Sequence, residues 1–375
     1  MSVTAFKSIN YTLFIIVTIL TAIGILMIYS SSAIPALKKM NDLFFFLKRQ
    51  VIWAVIGIVM MIIVSRIDYK NWDRLFLPMF GLTILLLIFV LVMGKEVNGA
   101  RRWLRFGILS FQPAELAKLT IIIYMARIIA KKGERIKDFM NGFLPVMSVI
   151  GLFVMLIMIE PDAGTAVTIG IIALSLLFAG GARLKHIMFL VVMLTPLMYT
   201  LVFNVGYRMQ RLKTYWDPWK DPYNSGYQII QSYLALGSGG LFGVGLGEGK
   251  QKLFFLPEAH TDFIFSILGE ELGFAGGAAV IALFAALIWL GFIISLRAED
   301  AFGKYAALGI TIMIGMQAVI NICVVTGLLP TKGIPLPFVS FGGSSLLVNM
   351  MSIGVLMNIA AQESPRASLS PKGRG

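Results

Sequence analysis

The densest cluster of acid, imidazole and hydroxyl groups in the chain is Leu256-Pro257-Glu258-Ala259-His260-Thr261-Asp262-Phe263, continuing through Ser266 and Glu270 to Gly273. From Asp262 onward it reads as a helix. At about 100° per residue, Asp262, Ser266, Gly269 and Gly273 fall on one narrow face, with Glu270 at its edge. The apolar run Leu272–Ile294 follows at once and is long enough to cross a bilayer. A carboxylate therefore sits at, or a few turns above, the mouth of a transmembrane helix. An ionisable group there marks function by default, because leaving it uncompensated near lipid is costly. A plain helix N-terminus, capped by Thr261 or Asp262, accounts for an acid at this place too.

Basic residues supply the complementary chemistry. The stretch Asn98-Gly99-Ala100-Arg101-Arg102-Trp103-Leu104-Arg105 opens on a turn signal, and Gln112-Pro113-Ala114-Glu115-Leu116-Ala117-Lys118 follows it. Pro113 suits the first turn of a helix, and Glu115 and Lys118, three apart, can pair. Arg101, Arg102 or Lys118 can meet a phosphate at the membrane surface; an interfacial Arg/Trp anchor with a local ion pair is the plainer account. Glu160-Pro161-Asp162-Ala163-Gly164-Thr165 is a tight turn in which Asp162 caps the next helix. Tyr207 to Trp219 interleaves Arg208, Arg211 and Lys213 with Tyr and Trp, as an amphipathic segment at headgroup level does. The glycine-rich run Gly237–Gly249 lacks a preceding strand and a Gly-Lys-Ser/Thr ending, so it reads as closely packed backbone and not as a nucleotide loop. The last loop, Gly327–Ser345, carries Lys332 as its lone cation, and Pro330, Pro335 and Pro337 exclude a helix. Such irregular backbone at membrane depth belongs where it lines a cavity or is buried in protein.

The elements that must position these groups follow from composition. Of 375 residues, 58% are hydrophobic and 14% charged, with a mean hydropathy of +0.85. That is an all-α polytopic membrane protein. Apolar runs long enough to span occur about ten times, near Tyr11–Ser30, Leu47–Ser65, Leu75–Met93, Ala114–Ala130, Gly142–Ile159, Thr165–Gly180, Ile187–Phe203, Phe263–Ile294, Phe302–Val325 and Ser344–Ala361. Residues 1–362 form one transmembrane domain, with a large extracytoplasmic loop at 204–258 between helices 7 and 8 and a short polar cytoplasmic tail at 363–375. Tyr11–Tyr29 reads as a permanent first span and not as a cleavable signal. A net charge of +13 fits basic loops against anionic headgroups, so no nucleic-acid partner is expected. One cysteine and two histidines argue against a disulfide framework and a zinc site. Lys and Arg divide about evenly between the two sets of loops. The set in short loops, with both termini, is read as cytoplasmic, and the excess of cations on the outer face then calls for an anionic ligand.

Several of these stretches together resemble the SEDS family (shape, elongation, division, sporulation): Asn98–Trp103 with Gln112–Lys118, Pro161–Thr165, Gly226–Ser232, Leu256–Gly273 and Leu329–Ser345. Within it, Tyr215-Trp216-Asp217-Pro218-Trp219, Gln251-Lys252-Leu253 and Leu329-Pro330-Thr331-Lys332-Gly333 resemble the division branch more than the elongation branch. Phe341 stands where a tyrosine is more usual. The resemblance implies a ten-helix peptidoglycan glycosyltransferase of the bacterial inner (cytoplasmic) membrane, acting at the septum. Its substrate is lipid II, a disaccharide-pentapeptide on undecaprenyl pyrophosphate. Its partners are a class B penicillin-binding protein transpeptidase and divisome regulatory proteins. Asp262 takes the place of the family's essential acid, and an inverting displacement needs one such base and no carboxylate nucleophile. Arg102, Lys118, Arg208, Arg211 and Lys332 are then candidates to stabilise the pyrophosphate, with Glu258, His260, Glu270 and Ser266 as supports. A divalent cation such as Mg²⁺ would suit one or two carboxylates plus phosphate oxygens. A lipid II flippase would instead string polar groups to mid-membrane, and a non-catalytic scaffold for the transpeptidase would need neither Asp262 nor the outer arginines.

Overall fold

The structure is a computed structural model that describes residues 3–362 apart from Asn98, Ile108, Asn204, Val205 and Phe254. The tail at 363–375 and the Arg208 side chain lie outside the described set. Each of the ten predicted runs coincides with a helix. In chain order these are α1 (Val3–Met40), α2 (Phe45–Ser65), α3 (Lys70–Met93), α4 (Pro113–Lys132), α5 (Leu144–Ile159), α6 (Ala163–Ala179) and α7 (Leu184–Phe203), then, after α8 (Gly206–Trp216) and α9 (Tyr227–Ser238), α10 (Ile264–Arg297), α11 (Ala301–Val325) and α12 (Gly343–Ala361). Among the described residues, seven helices are long and apolar enough to cross a membrane. The chain is a multi-pass membrane protein.

Helix α4 is central. It is buried on nearly every side and packs against α3, α5, α6 and α11. Helices α2 and α12 run parallel at close range: Trp53 lies against Gly343, Met350 against Gly57 and Val64 against Gly354. Small residues at such contacts let helix backbones approach where water supplies no driving force.

Two features differ from the sequence reading. The second inter-helix loop carries a three-stranded antiparallel sheet, β1 (Lys95–Val97), β2 (Ala100–Phe106) and β3 (Leu109–Phe111), in the order β1-β2-β3. Its cause is a period-2 pattern: Arg101 and Arg105 are exposed on one face while Leu104 is buried on the other. The second is α10, which is not one continuous helix. Gly273 breaks it at φ 69°, ψ −168°. A Cβ there would lie 2.3 Å from the Gly243 backbone nitrogen, so only glycine fits.

The second half of the loop between α11 and α12 is buried, as its irregular backbone predicts. Leu336, Phe338, Val339 and Ser340 are all inside. A Cβ on Gly24, in mid-α1, would lie 2.7 Å from the Phe338 carbonyl oxygen. The loop therefore re-enters the bundle, and it carries one wall of the site described next.

Candidate active site

Asp262 lies outside the helix that the sequence reading gave it. Helix α10 starts at Ile264 and no side chain caps it. The reason is Glu258, which adopts φ 54° and whose carbonyl accepts from Thr261 N at 3.1 Å and Phe263 N at 3.3 Å. Those bonds close a turn that competes with helix. The Thr261 hydroxyl, instead of capping, donates to the Glu258 carboxylate at 2.8 Å.

The turn is fixed by the re-entrant loop. Ser340 Oγ donates to the Thr261 carbonyl at 2.7 Å, and Phe341 N to the His260 carbonyl at 2.9 Å. Asn321, buried in α11, donates from one amide nitrogen to the Asp262 carbonyl at 2.8 Å and to the Ile334 carbonyl at 2.9 Å. A Cβ on Gly333 would lie 3.2 Å from Asp262 Oδ2. The carboxylate thus rests against a stretch of loop without a side chain, next to Lys332.

Burial, then the negative charge of Glu258, pushes the half-buried Asp262 carboxyl up to about 7, with Arg211 opposing. A carboxyl so held is partly ionised at neutral pH and can both take and return a proton. His260 sits 4.4 Å from the Phe46 ring and 5.8 Å from Phe341, centroid to centroid. Burial lowers its pKa, which keeps the imidazole neutral. Lys332 is exposed, yet local desolvation lowers its pKa as well.

The predicted basic residues take three situations. Arg211 is exposed on α8 and donates to the Thr331 carbonyl at 3.4 Å, beside Lys332. Arg102, on β2, donates to the Glu160 carbonyl at 3.1 Å and to that of Pro161, stapling the sheet to the α5–α6 turn. Lys118 is buried in α4 and paired with Glu115 at 2.8 Å. The α5–α6 turn adjoins the site: a Cβ on Gly164 would lie 3.6 Å from Ile334 Cγ1. Asp162 caps α6 through Thr165 N at 3.1 Å, as the sequence reading expects, and also accepts from Gln112 Nε2 at 2.8 Å.

Ser266 and Glu270 make their hydrogen bonds to groups outside the Asp262 turn. Ser266 is buried and bonded to Ser232 Oγ at 2.7 Å, and Ser232 donates to the Val325 carbonyl. Glu270 accepts from Lys250 N at 2.8 Å and Gln251 N at 3.2 Å. Both hold the scaffold of the site.

Three groups escaped the sequence reading. Asn321 had a signal, an amide that shares an apolar run with Gln317. Glu160 is fully buried, and neither of its carboxylate oxygens has a hydrogen-bond partner. Burial and Asp162 push it up to about 8, against Arg102. Lys252 and Glu271 form a buried ion pair at 2.6 Å that Ser30 of α1 joins at 2.7 Å. Nothing local in the sequence marks that pair.

A profile for the cell cycle proteins FtsW, RodA and SpoVE matches residues 10–365. The chain belongs to this family. It is 48% identical over 345 residues to a probable peptidoglycan glycosyltransferase FtsW of Geobacter metallireducens, covering 92% of each chain. It is 43% identical over 350 residues to the stage V sporulation protein E of Bacillus subtilis, covering 93% of this chain and 96% of the other. Among solved structures, a chain of a peptidoglycan synthase complex that coordinates polymerization and crosslinking matches with a TM-score of 0.78 at 29% identity, over 95% of this chain and 98% of that one. The strength of the match to FtsW-named relatives agrees with the division-branch motifs around Trp216 and Lys332.

Proposed function

We propose that the chain is a peptidoglycan glycosyltransferase that polymerises lipid II into glycan strands for septal wall synthesis. The observation that carries the mechanism is the Asp262 carboxyl, with its pKa raised to about 7, against a loop that carries Lys332 and is met by Arg211. In an inverting displacement, the acceptor C4 hydroxyl attacks the donor's anomeric carbon. The C4 oxygen forms the new glycosidic bond, its proton passes to Asp262, and the bond to the lipid pyrophosphate breaks with its electron pair leaving on the phosphate oxygen. Arg211 and Lys332, on either side of Thr331, are placed to meet the charge that develops there. Arg102, Arg208 and Lys118 are candidates for the same substrate, of which Arg102 also staples the neighbouring turn. Glu258 and His260 act by setting the charge and position of Asp262.

Among the described residues no three acid, imidazole or thiol side chains converge. A cation would be held by Glu258 together with phosphate oxygens, a set that suits Mg²⁺. It would neutralise charge on the leaving group.

In this reading the chain lies in the cytoplasmic membrane at the division site, as one domain over residues 1–362. The Asp262 end faces outward and both termini face the cytoplasm. It works with a class B penicillin-binding protein transpeptidase under divisome regulators. The synthase-complex relative supports a partnered enzyme.

The test is polymerisation of labelled lipid II by the purified protein with its transpeptidase partner, comparing Asp262→Asn with the parent. Asn keeps the shape and removes the base. We expect at least a ~100-fold loss of glycan chains, with lipid II and partner binding retained. Chains formed at the parental rate would exclude Asp262 as base. A parent that moves labelled lipid II between leaflets but forms no chains would favour a transporter.

A further inference from the structure

The glycine-rich run between α9 and the Asp262 turn has an apolar tip that the proposed chemistry does not use. Leu241 is 68% exposed, Phe242 83%, Val244 44% and Leu246 53%, and Phe274 of α10 beside them is 72% exposed. From Pro222 to Gly247 the chain carries no charged residue. The tip is nonetheless held firmly. Val244 N and Gly245 N donate to the Glu270 and Glu271 carbonyls at 3.0 and 3.1 Å. Phe274 N and Ala275 N donate to the Gly240 and Leu241 carbonyls at 2.9 and 3.0 Å. Several backbone polar groups of the tip are satisfied in this way, so what it presents outward is largely hydrocarbon.

Two rulers give its height. From Gly273, α10 runs to Arg297, which at about 1.5 Å per residue is roughly 36 Å, against a hydrocarbon core of about 30 Å. Phe274 therefore lies within a turn or two of the hydrocarbon edge. Independently, Ser30 ends the first apolar run of α1 and bonds Glu271 at 2.7 Å, so the Lys252–Glu271 pair marks the polar rim. The ladder places Val244 and Gly245 level with that rim, and Leu241 level with Phe274 and Ala275, one step deeper. The exposed face of the tip is continuous with the lipid-facing side chains of α10 below it, Ile281 and Trp289 among them.

We propose that Leu241–Leu246 is a membrane-interface anchor, inserted in the lipid leaflet on the Asp262 side. Its occupant is lipid, because it is uncharged, rigid and contiguous with the spanning surface. It would set the height of the α10 segment from Ile264 to Leu272, and with it that of Asp262, relative to the headgroups from which a lipid-linked sugar is presented. The anchor itself requires only that α10 spans the bilayer. Its bearing on the reaction rests on the proposed function.

The single native cysteine makes the test direct. In a Cys323→Ser background, a nitroxide is attached at Phe242→Cys and, as aqueous control, at Tyr223→Cys, which is 87% exposed in the polar part of the same loop. Both proteins are placed in nanodiscs of phosphatidylethanolamine and phosphatidylglycerol. Collision rates with oxygen and with a water-soluble nickel chelate are then measured. We expect the Phe242 label to favour oxygen by severalfold and the Tyr223 label to favour nickel. Equal nickel access at both positions would overturn the anchor. Shielding of the Phe242 label from both reagents would overturn it too, by showing that protein covers the tip. Leu246→Cys gives the same reading should Phe242→Cys fail to fold. None of these outcomes depends on glycan synthesis.

Discussion

Asp262 titrates near 7 because its carboxylate loses water and faces Glu258, and these outweigh Arg211. A general base must be unprotonated, so polymerisation by the parent should rise about tenfold per pH unit below 7 and flatten above it. A profile flat from pH 5.5 to 8 would exclude this titration from the rate. The same shift affects stability with a defined sign. The folded pKa lies above the unfolded value of about 3.9. The stabilisation is therefore complete below pH 4 and lost as pH rises through about 7. Asp262→Asn removes that loss and should raise the melting temperature above the parent's at pH 8, while costing activity. Glu160 offers a cleaner case, since its pKa is raised to about 8 and it is neutral at pH 7. Glu160→Gln should match the parent's melting temperature only near pH 4, where both states keep the proton, and exceed it increasingly as pH rises towards about 8, because the unfolded chain ionises this acid while the folded one does not. A marked loss at pH 7 would mean that Glu160 is ionised and paired.

At the scale of elements, the site depends on a join between pieces that are far apart in sequence. Asn321 of α11 bonds both the Asp262 turn and the re-entrant loop. Asn321→Ala removes both bonds and leaves two buried carbonyls without this donor, at a cost of about 2–4 kcal/mol. We expect a lower melting temperature and at least ~10-fold less polymerisation, measured with pH-matched parent protein. Activity unchanged within twofold would show that Ser340 and Phe341 hold the turn unaided. Most helices were legible from apolar runs. The strands of the second loop were missed, although the alternation of Arg101, Leu104 and Arg105 carries their signal. The break in α10 was not legible, because an isolated glycine in an apolar helical run is ordinary. What forces it is the approach of Gly243, thirty positions earlier in the chain.

At the scale of the whole molecule, the loops that carry chemistry gather at one end. The sheet, the α5–α6 turn, the Asp262 turn and the re-entrant loop touch there in sequence, through Arg102, Gln112, Gly164 and Gly333. The opposite end is tied by Tyr69 N to Asn358 Oδ1 at 2.8 Å. With an even number of crossings, reporter fusions at the N-terminus and after Gln362 should both report cytoplasm, and one inserted at Lys220 should report the outside. Opposite readings at the two termini would require an odd number of crossings and would break the proposed topology.

The sequence by itself determined that this is a many-helix membrane protein, where its helices run, and that Asp262, Arg211 and Lys332 lie in the motif-bearing stretches. Hydropathy and periodicity are properties of neighbours along a chain, and these features are encoded there. Only the tertiary structure decided that Asp262 stands before its helix and not in it, that burial raises its pKa to about 7, and that Arg102 already has protein partners. It also exposed Glu160 without partners and joined Ser30 to Glu271. Desolvation and pairing arise between residues brought together from distant positions, so no local pattern can record them.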